Sequence, residues 1–263
     1  MTPTPQEMSF MEHLAELRTR ILRIVLVLFV LSAIAFFFAG ELFDHILLAP
    51  KHADFFTYRC FNAFAQKLHL GTLFAKDFEF DLQNLEMTGQ FSWHIQTAFL
   101  SALVLGFPYL FFEIWQFVKP ALLPHERKQA SNIVFYSSVL MLLGLLFGYF
   151  LVTPLSVQFF GTYQLSQEIK NVIRLSSYLE MVVKTTFYTG ILFQLPVCVF
   201  LLTKIGIVDY TILKQYRKHA LVGILIVAAI LTPPDFITQI IVGFPLYLLY
   251  EFSIWVAYFT ASR

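Results

Sequence analysis

Residues 93–128 read WHIQTAFLSALVLGFPYLFFEIWQFVKPALLPHERK, and two textures meet in them. From Trp93 to Phe112 no Asp, Glu, Lys or Arg interrupts the run. That is about the ~20 residues a helix needs to cross ~30 Å of hydrocarbon. Phe112 to Lys128 then carries two carboxylates (Glu113, Glu126), three cations (Lys119, Arg127, Lys128) and two prolines four residues apart. A plain connector between spans needs only a few polar residues and a turn. This one is predicted to be a short, stiff, charged platform at the membrane face, starting where the second membrane helix ends.

Outward from that stretch the composition agrees. The chain is 58% apolar and 13% charged, has a mean hydropathy of +0.69 and holds 31 Phe, too much apolar surface for one soluble core. Windows comparable to 93–112 recur at 21–39, 130–152 and 181–202. Two shorter ones, 219–231 and 236–250, flank Thr232-Pro233-Pro234-Asp235 and reach only ~20 Å each. The pattern predicts an all-α membrane protein, one integral membrane domain over residues 1–263, with six transmembrane helices. The last two are short and turn on the Pro-Pro pair, with local bilayer thinning or a water-filled cavity as the consequence. Alternating ten-residue segments of a β-barrel are absent. The first span exceeds a cleavable signal's apolar region, and Glu7, Glu12 and Glu16 precede it.

Cations set the orientation. Arg18, Arg20 and Arg23 precede the first span, Lys119, Arg127 and Lys128 follow the second, and Lys204, Lys214, Arg217 and Lys218 follow the fourth. The intervening loops are acidic or poor in cations, so the positive-inside rule puts both termini in the cytoplasm. A net charge of +1 gives no basis for nucleic-acid binding. Cys60, in the first external loop, and Cys198, inside the fourth span, are not placed to pair, and no His or Cys stands at metal-ligand spacing. No cofactor is expected. Phosphate-loop, H-E-x-x-H and G-x-S-x-G motifs are all missing, which argues against an ATP-driven motor or a familiar hydrolase.

The polar residues admit two readings each. Ser9 and Glu12 fit a capping box, and Phe10, Leu14, Leu17 and Ile21 then form an apolar stripe at helical spacing. Glu16 stands four residues before Arg20, where an ion pair is worth about 0.3 kcal/mol. Glu126 suits the positive end of a third helix starting near Pro124, and Glu113 is placed to hydrogen-bond loop amides. Alternatively Glu16 and Glu126 share one membrane face, and two carboxylates there suit a guanidinium ligand held bidentately. Trp115 and Phe117 suit the interface. Gln194, two residues before Pro196 in the fourth span, is either glue between helices of the monomer or a docking point for a separate helix. Lys184 is expected to snorkel, Asp235 to cap the sixth helix, and Gln239, one turn on, to extend that polar cluster.

Four segments together resemble the TatC family, the multispanning receptors of the twin-arginine protein translocase. They are MEHLAELRTRIL (11–22), FEIWQFVKPALLPHERK (112–128), LFQLPV (192–197) and LTPPDFITQ (231–239), with Pro50 matching a family proline after the first span. The resemblance implies six helices in a concave arrangement in the bacterial cytoplasmic membrane. It implies a receptor, not an enzyme, driven by the proton-motive force and assembled with single-span TatA/TatB-type subunits in a complex with further copies of itself. On that resemblance Glu16 and Glu126 bind the paired arginines of a signal peptide, with Arg18 in the same motif. Phe112, Trp115 and Pro120 are then structural, and Gln194, Asp235, Gln239 and Glu251 are polar positions of the later helices. Three departures stand out: Gln194 where many members carry Glu, His219 in place of an aromatic hydroxyl, and a long first external loop. The rival from the residues alone is a secondary transporter of a small cationic solute or protons.

Overall fold

The computed structural model describes residues 10–67, 69, 80–119, 132–166, 168, 171–233 and 235–261. Ser9, Pro120, Glu126 and Pro234 lie outside these residues, as does the side chain of Glu12. In chain order the elements are α1 (Phe10–Leu42), a π turn (Phe43–Leu47), a 3₁₀ turn (Ala49–Lys51), α2 (Phe56–Lys67) and β1 (Leu82–Gln83). Then come α3 (Gly89–Val118), α4 (Ile133–Phe147), a second π turn (Gly148–Val152), α5 (Thr153–Thr162), β2 (Ile173–Arg174) and α6 (Leu175–Leu192). The chain closes with α7 (Leu195–Lys204), α8 (Tyr210–Gln215), α9 (Arg217–Leu231) and α10 (Phe236–Ala261).

Among the described residues, five helical stretches are long and apolar enough to cross a membrane: 13–67, 89–118, 133–162, 175–204 and 238–260. The fifteen residues of α9 reach only about 22 Å, so it stays short. Two expected ends move. The second membrane helix does not stop at Phe112 but runs to Val118. The last helix does not stop at Tyr250 but runs to Ala261. In both cases a carboxylate marked the expected end, and in both it is paired, by Arg20 at Glu113 and by Arg217 at Glu251. Pairing lets each carboxylate stay against protein instead of water, and Glu is itself a good helix former.

The described residues form two compact units, those within 1–39 and 95–138, and those within 40–94 and 139–263. In the first, α1 and α3 approach through small residues. Ala35, Ala39 and Ala98 form a buried cluster, and a Cβ on Gly106 would stand 3.0 Å from Leu28 and 3.1 Å from Leu31. Large side chains of α1 such as Phe29 and Val30 stay exposed, as expected where the surroundings are hydrocarbon.

In the second unit the described part of the long first loop is packed on its own chain. Phe55, Tyr58, Phe80 and Trp93 join Leu155, Tyr178, Leu179 and Val182 in one buried cluster. A two-residue parallel ladder pairs Leu82 with Ile173 and Gln83 with Arg174. α4 and its π turn meet α6 through glycines: a Cβ on Gly144 would lie 2.8 Å from the Cα of Gly190, and one on Gly148 would lie 2.9 Å from the Cα of Thr186. Next along that contact, the Thr153 and Thr185 hydroxyls are 2.7 Å apart. Pro196 cannot donate to the ladder, and the fourth span breaks into α6 and α7 just before it.

Candidate functional site

The N-terminal carboxylate sits in an ion-pair chain inside the first unit. Glu16 lies one turn before Arg20 on α1. Arg20 Nε donates to Glu16 Oε1 at 3.0 Å, and Nη2 donates to the same oxygen. From the other edge of its fork, Arg20 Nη1 donates to Glu113 Oε2 on α3, also at 3.0 Å. The hydroxyl of Tyr109, one turn before Glu113, donates to Oε1 at 2.9 Å. Arg23 Nη1 stands 4.0 Å from that same oxygen.

Glu113 is only 3% exposed. An isolated carboxylate so deep is expensive, and the remedy is pairing plus hydrogen bonds on both oxygens. Glu113 has both, from Arg20 and Tyr109. Its sequence-based assignment to loop amides is therefore corrected: its oxygens accept from side chains of α1 and α3. Glu16 is different. Oε1 is doubly bonded to Arg20, while Oε2 is buried and has no hydrogen-bond partner among the described residues. The i,i+4 pair expected for Glu16 and Arg20 is present, but it is one half of a longer chain.

Around this chain, His13 stacks on Phe117 with ring centroids 4.3 Å apart. Trp115 is buried, whereas Phe112 and Arg18 are exposed. The structure does not bring Glu126 or Pro120 into view, since both fall outside the described residues.

The remaining polar positions belong to the second unit. Gln194 is half-buried at the break between α6 and α7, where its carbonyl accepts from Cys198 N at 2.9 Å. Asp235 caps α10 by accepting from Thr238 N at 3.0 Å. Gln239 Nε2 donates to the Leu225 carbonyl at 2.9 Å, tying α10 to α9. Arg217 and Tyr247 both donate to Glu251. Lys184 pairs with Glu180 at 2.7 Å, both side chains more than half exposed. Among the described residues no cluster of three or more His, Cys, Asp or Glu is arranged to hold a metal.

Sequence reasoning missed two ties, Arg20 to Glu113 and Arg217 to Glu251. Each joins residues far apart in sequence. The only local signal was a carboxylate near the end of an apolar run with arginines elsewhere in the chain. It also passed over the Gly144/Gly148 spacing, a four-residue small-residue repeat legible in GLLFG.

The chain matches known proteins along nearly its whole length. Residues 12–245 match the family model of Sec-independent protein translocase protein (TatC). The chain belongs to the TatC family. It is 36% identical to Sec-independent protein translocase protein TatC of Blattabacterium sp. subsp. Periplaneta americana over 259 residues, 98% of this chain and 97% of that one. It is 33% identical to TatCy of Bacillus subtilis over 248 residues, 94% of this chain and 88% of that one. A crystal structure of the twin arginine translocase receptor TatC superposes with a TM-score of 0.69 at 29% identity, covering 96% of this chain and 100% of that one. A second, of TatC in DDM, gives 0.71 at 28% identity, covering 94% and 99%. As a TatC family member the chain is a multi-pass membrane protein of protein translocation. It is a transport component and not an enzyme, and the small-solute transporter gives way to that assignment.

Proposed function

We infer that this TatC family protein is the signal-peptide receptor of a twin-arginine translocase in the bacterial cytoplasmic membrane, with both termini in the cytoplasm. Glu16 and Glu126 bind the two consecutive arginines of the signal peptide, and Arg18 belongs to the same surface. The observation that carries this reading is Glu16 Oε2, an oxygen without a hydrogen-bond partner among the described residues, on a helix that begins just before the first span. That oxygen is buried, so an arriving guanidinium reaches it when the Glu16 side chain turns outward, and there it is a strong acceptor. The family match supports the rest: folded cargo, the proton-motive force as energy source, and single-span TatA/TatB-type partners in a larger complex containing more than one copy of this chain. Gln194, Asp235 and Gln239 are the intramembrane or membrane-edge polar residues we assign to contacts with such partners. Phe112, Trp115 and Pro120 hold the connector.

The test is the affinity of purified protein in lipid nanodiscs for a labelled signal peptide. Glu16→Gln and Glu126→Gln are each expected to weaken binding, by up to the ~2 kcal/mol typical of a charge-assisted contact at a wet site. Replacing the peptide's Arg-Arg by Lys-Lys is expected to weaken binding to the wild type at constant charge, because an ammonium lacks the planar fork. Full affinity in both glutamine variants would leave the recognition site elsewhere.

A further inference from the structure

The receptor carboxylate is already occupied by an arginine. A guanidinium that grips a carboxylate with two parallel bonds needs both oxygens. In the folded protein Oε1 of Glu16 takes two N–H groups from Arg20, and Oε2 is buried without a partner among the described residues, so a newcomer has to turn the Glu16 side chain outward. Arg20 is not committed to Glu16, because its Nη1 is on Glu113 Oε2. Glu113 is a fixed anchor, buried to 3% exposure, with its second oxygen taken by Tyr109. One guanidinium is therefore shared between a partly exposed carboxylate and a buried one.

We propose that Arg20 is a resident competitor for the signal-peptide arginine: it holds Glu16 in the unliganded receptor and is retained by Glu113 when the ligand takes Glu16. This rests on the reading of Glu16 as a receptor carboxylate. The exchange replaces one guanidinium by another, so neither carboxylate is left bare at its end. It also sharpens selectivity. A peptide lysine presents a strongly hydrated point charge that does not displace a fork already in place, whereas a peptide arginine competes on equal terms. Arg20 is thus a specificity-determining residue that acts on the ligand through Glu16.

Three variants in the nanodisc assay decide it, with a fluorescent peptide bearing Arg-Arg ahead of an apolar segment as the probe. Glu113→Gln keeps the shape and the Tyr109 acceptor but removes the charge that draws Arg20 away. Arg20 then settles on Glu16, and peptide affinity falls about tenfold, the size of one charge-assisted hydrogen bond. The double variant Arg20→Gln/Glu113→Gln removes competitor and anchor together without stranding the Glu113 carboxylate unpaired. Its affinity rises above the wild type and its Arg-Arg over Lys-Lys preference shrinks. Tyr109→Phe, the mildest change, leaves Glu113 Oε1 unfilled, so Glu113 pulls harder on Arg20 and affinity rises. Equal or weaker binding by the double variant, in protein whose thermal transition in the nanodisc is retained, overturns the proposal and makes Arg20 a structural support. A double variant that no longer folds leaves Tyr109→Phe to decide: unchanged or weaker binding there overturns it equally. Glu16→Gln in the same series separates the two ideas, since full binding by that variant removes the receptor reading itself, whereas lost binding there with a weak double variant removes only the competitor.

Discussion

A few side chains close the backbone where regular helix gives out. The π and 3₁₀ turns over residues 43–51 release carbonyls that an unbroken α-helix would satisfy. Tyrosines collect them. Tyr149 donates to the Ile46 carbonyl at 2.8 Å, Tyr178 to that of Leu47 at 3.1 Å, and the Tyr58 hydroxyl lies 2.9 Å from the Pro50 carbonyl and 3.0 Å from that of Pro154. Tyr58 is fully buried, so Tyr58→Phe leaves both carbonyls without that donor. It is expected to lower stability by about 1–3 kcal/mol in thermal unfolding of detergent-solubilised protein. Asp235 works the same way at a helix start. Asp235→Ala is expected to cost about 1 kcal/mol, and Asp235→Asn much less, because an amide oxygen also caps. Equal loss in both variants would assign the effect to charge instead of the Thr238 amide.

Between elements, close approach is bought by missing side chains. Gly144 and Gly148 face Gly190 and Thr186 at distances a Cβ does not tolerate, and the nearest atoms include backbone. Gly148→Leu is therefore expected to push α6 off its seat and break the Thr153–Thr185 contact, with loss of folded protein by size-exclusion chromatography. Gly40 and Gly223, where an added Cβ meets nothing within 4 Å, are the controls that should accept alanine. The break ahead of Pro196 presents Gln194 where α6 ends and α7 begins. Under the proposed docking role, Gln194→Leu is expected to weaken co-purification of a single-span partner by the ~0.6–2 kcal/mol of one membrane hydrogen bond. Signal-peptide affinity should stay the same. Undiminished partner recovery would make Gln194 glue within the monomer.

At the scale of the molecule, the arrangement of charges is a statement about sides of a membrane. With both termini proposed cytoplasmic, a reporter fused after Arg263 is expected to score as cytoplasmic and one inserted near Lys67 as external. The second site is informative because α2 and its neighbours are packed into the second unit beside α5 and α6 and are no free linker. A C-terminal reporter that scored as external would overturn the orientation.

Some of this was legible before any coordinates. Apolar run length and the sparsity of charge determine a multi-pass helical protein, since each crossing must satisfy its own backbone and present apolar surface. The short reach of residues 219–231 and the Asp235 cap follow from local chemistry, whereas residues 181–202 read as one span and the break ahead of Pro196 came with the structure. Glu16 and Gln194 could be singled out because a polar group beside or inside an apolar run is conspicuous. What the sequence did not determine was the pairing of distant charges. Glu113 and Glu251 looked like helix ends because they end the apolar runs, but the end of an apolar run is not the end of a helix and Glu is a good helix former. Only tertiary packing brought Arg20 and Arg217 to them, and the helices run on to Val118 and Ala261. The state of Glu16, one oxygen filled by Arg20 and one buried without a partner among the described residues, has the same origin. Ion pairing depends on distance in space, and distance in space is what the linear order of residues leaves out.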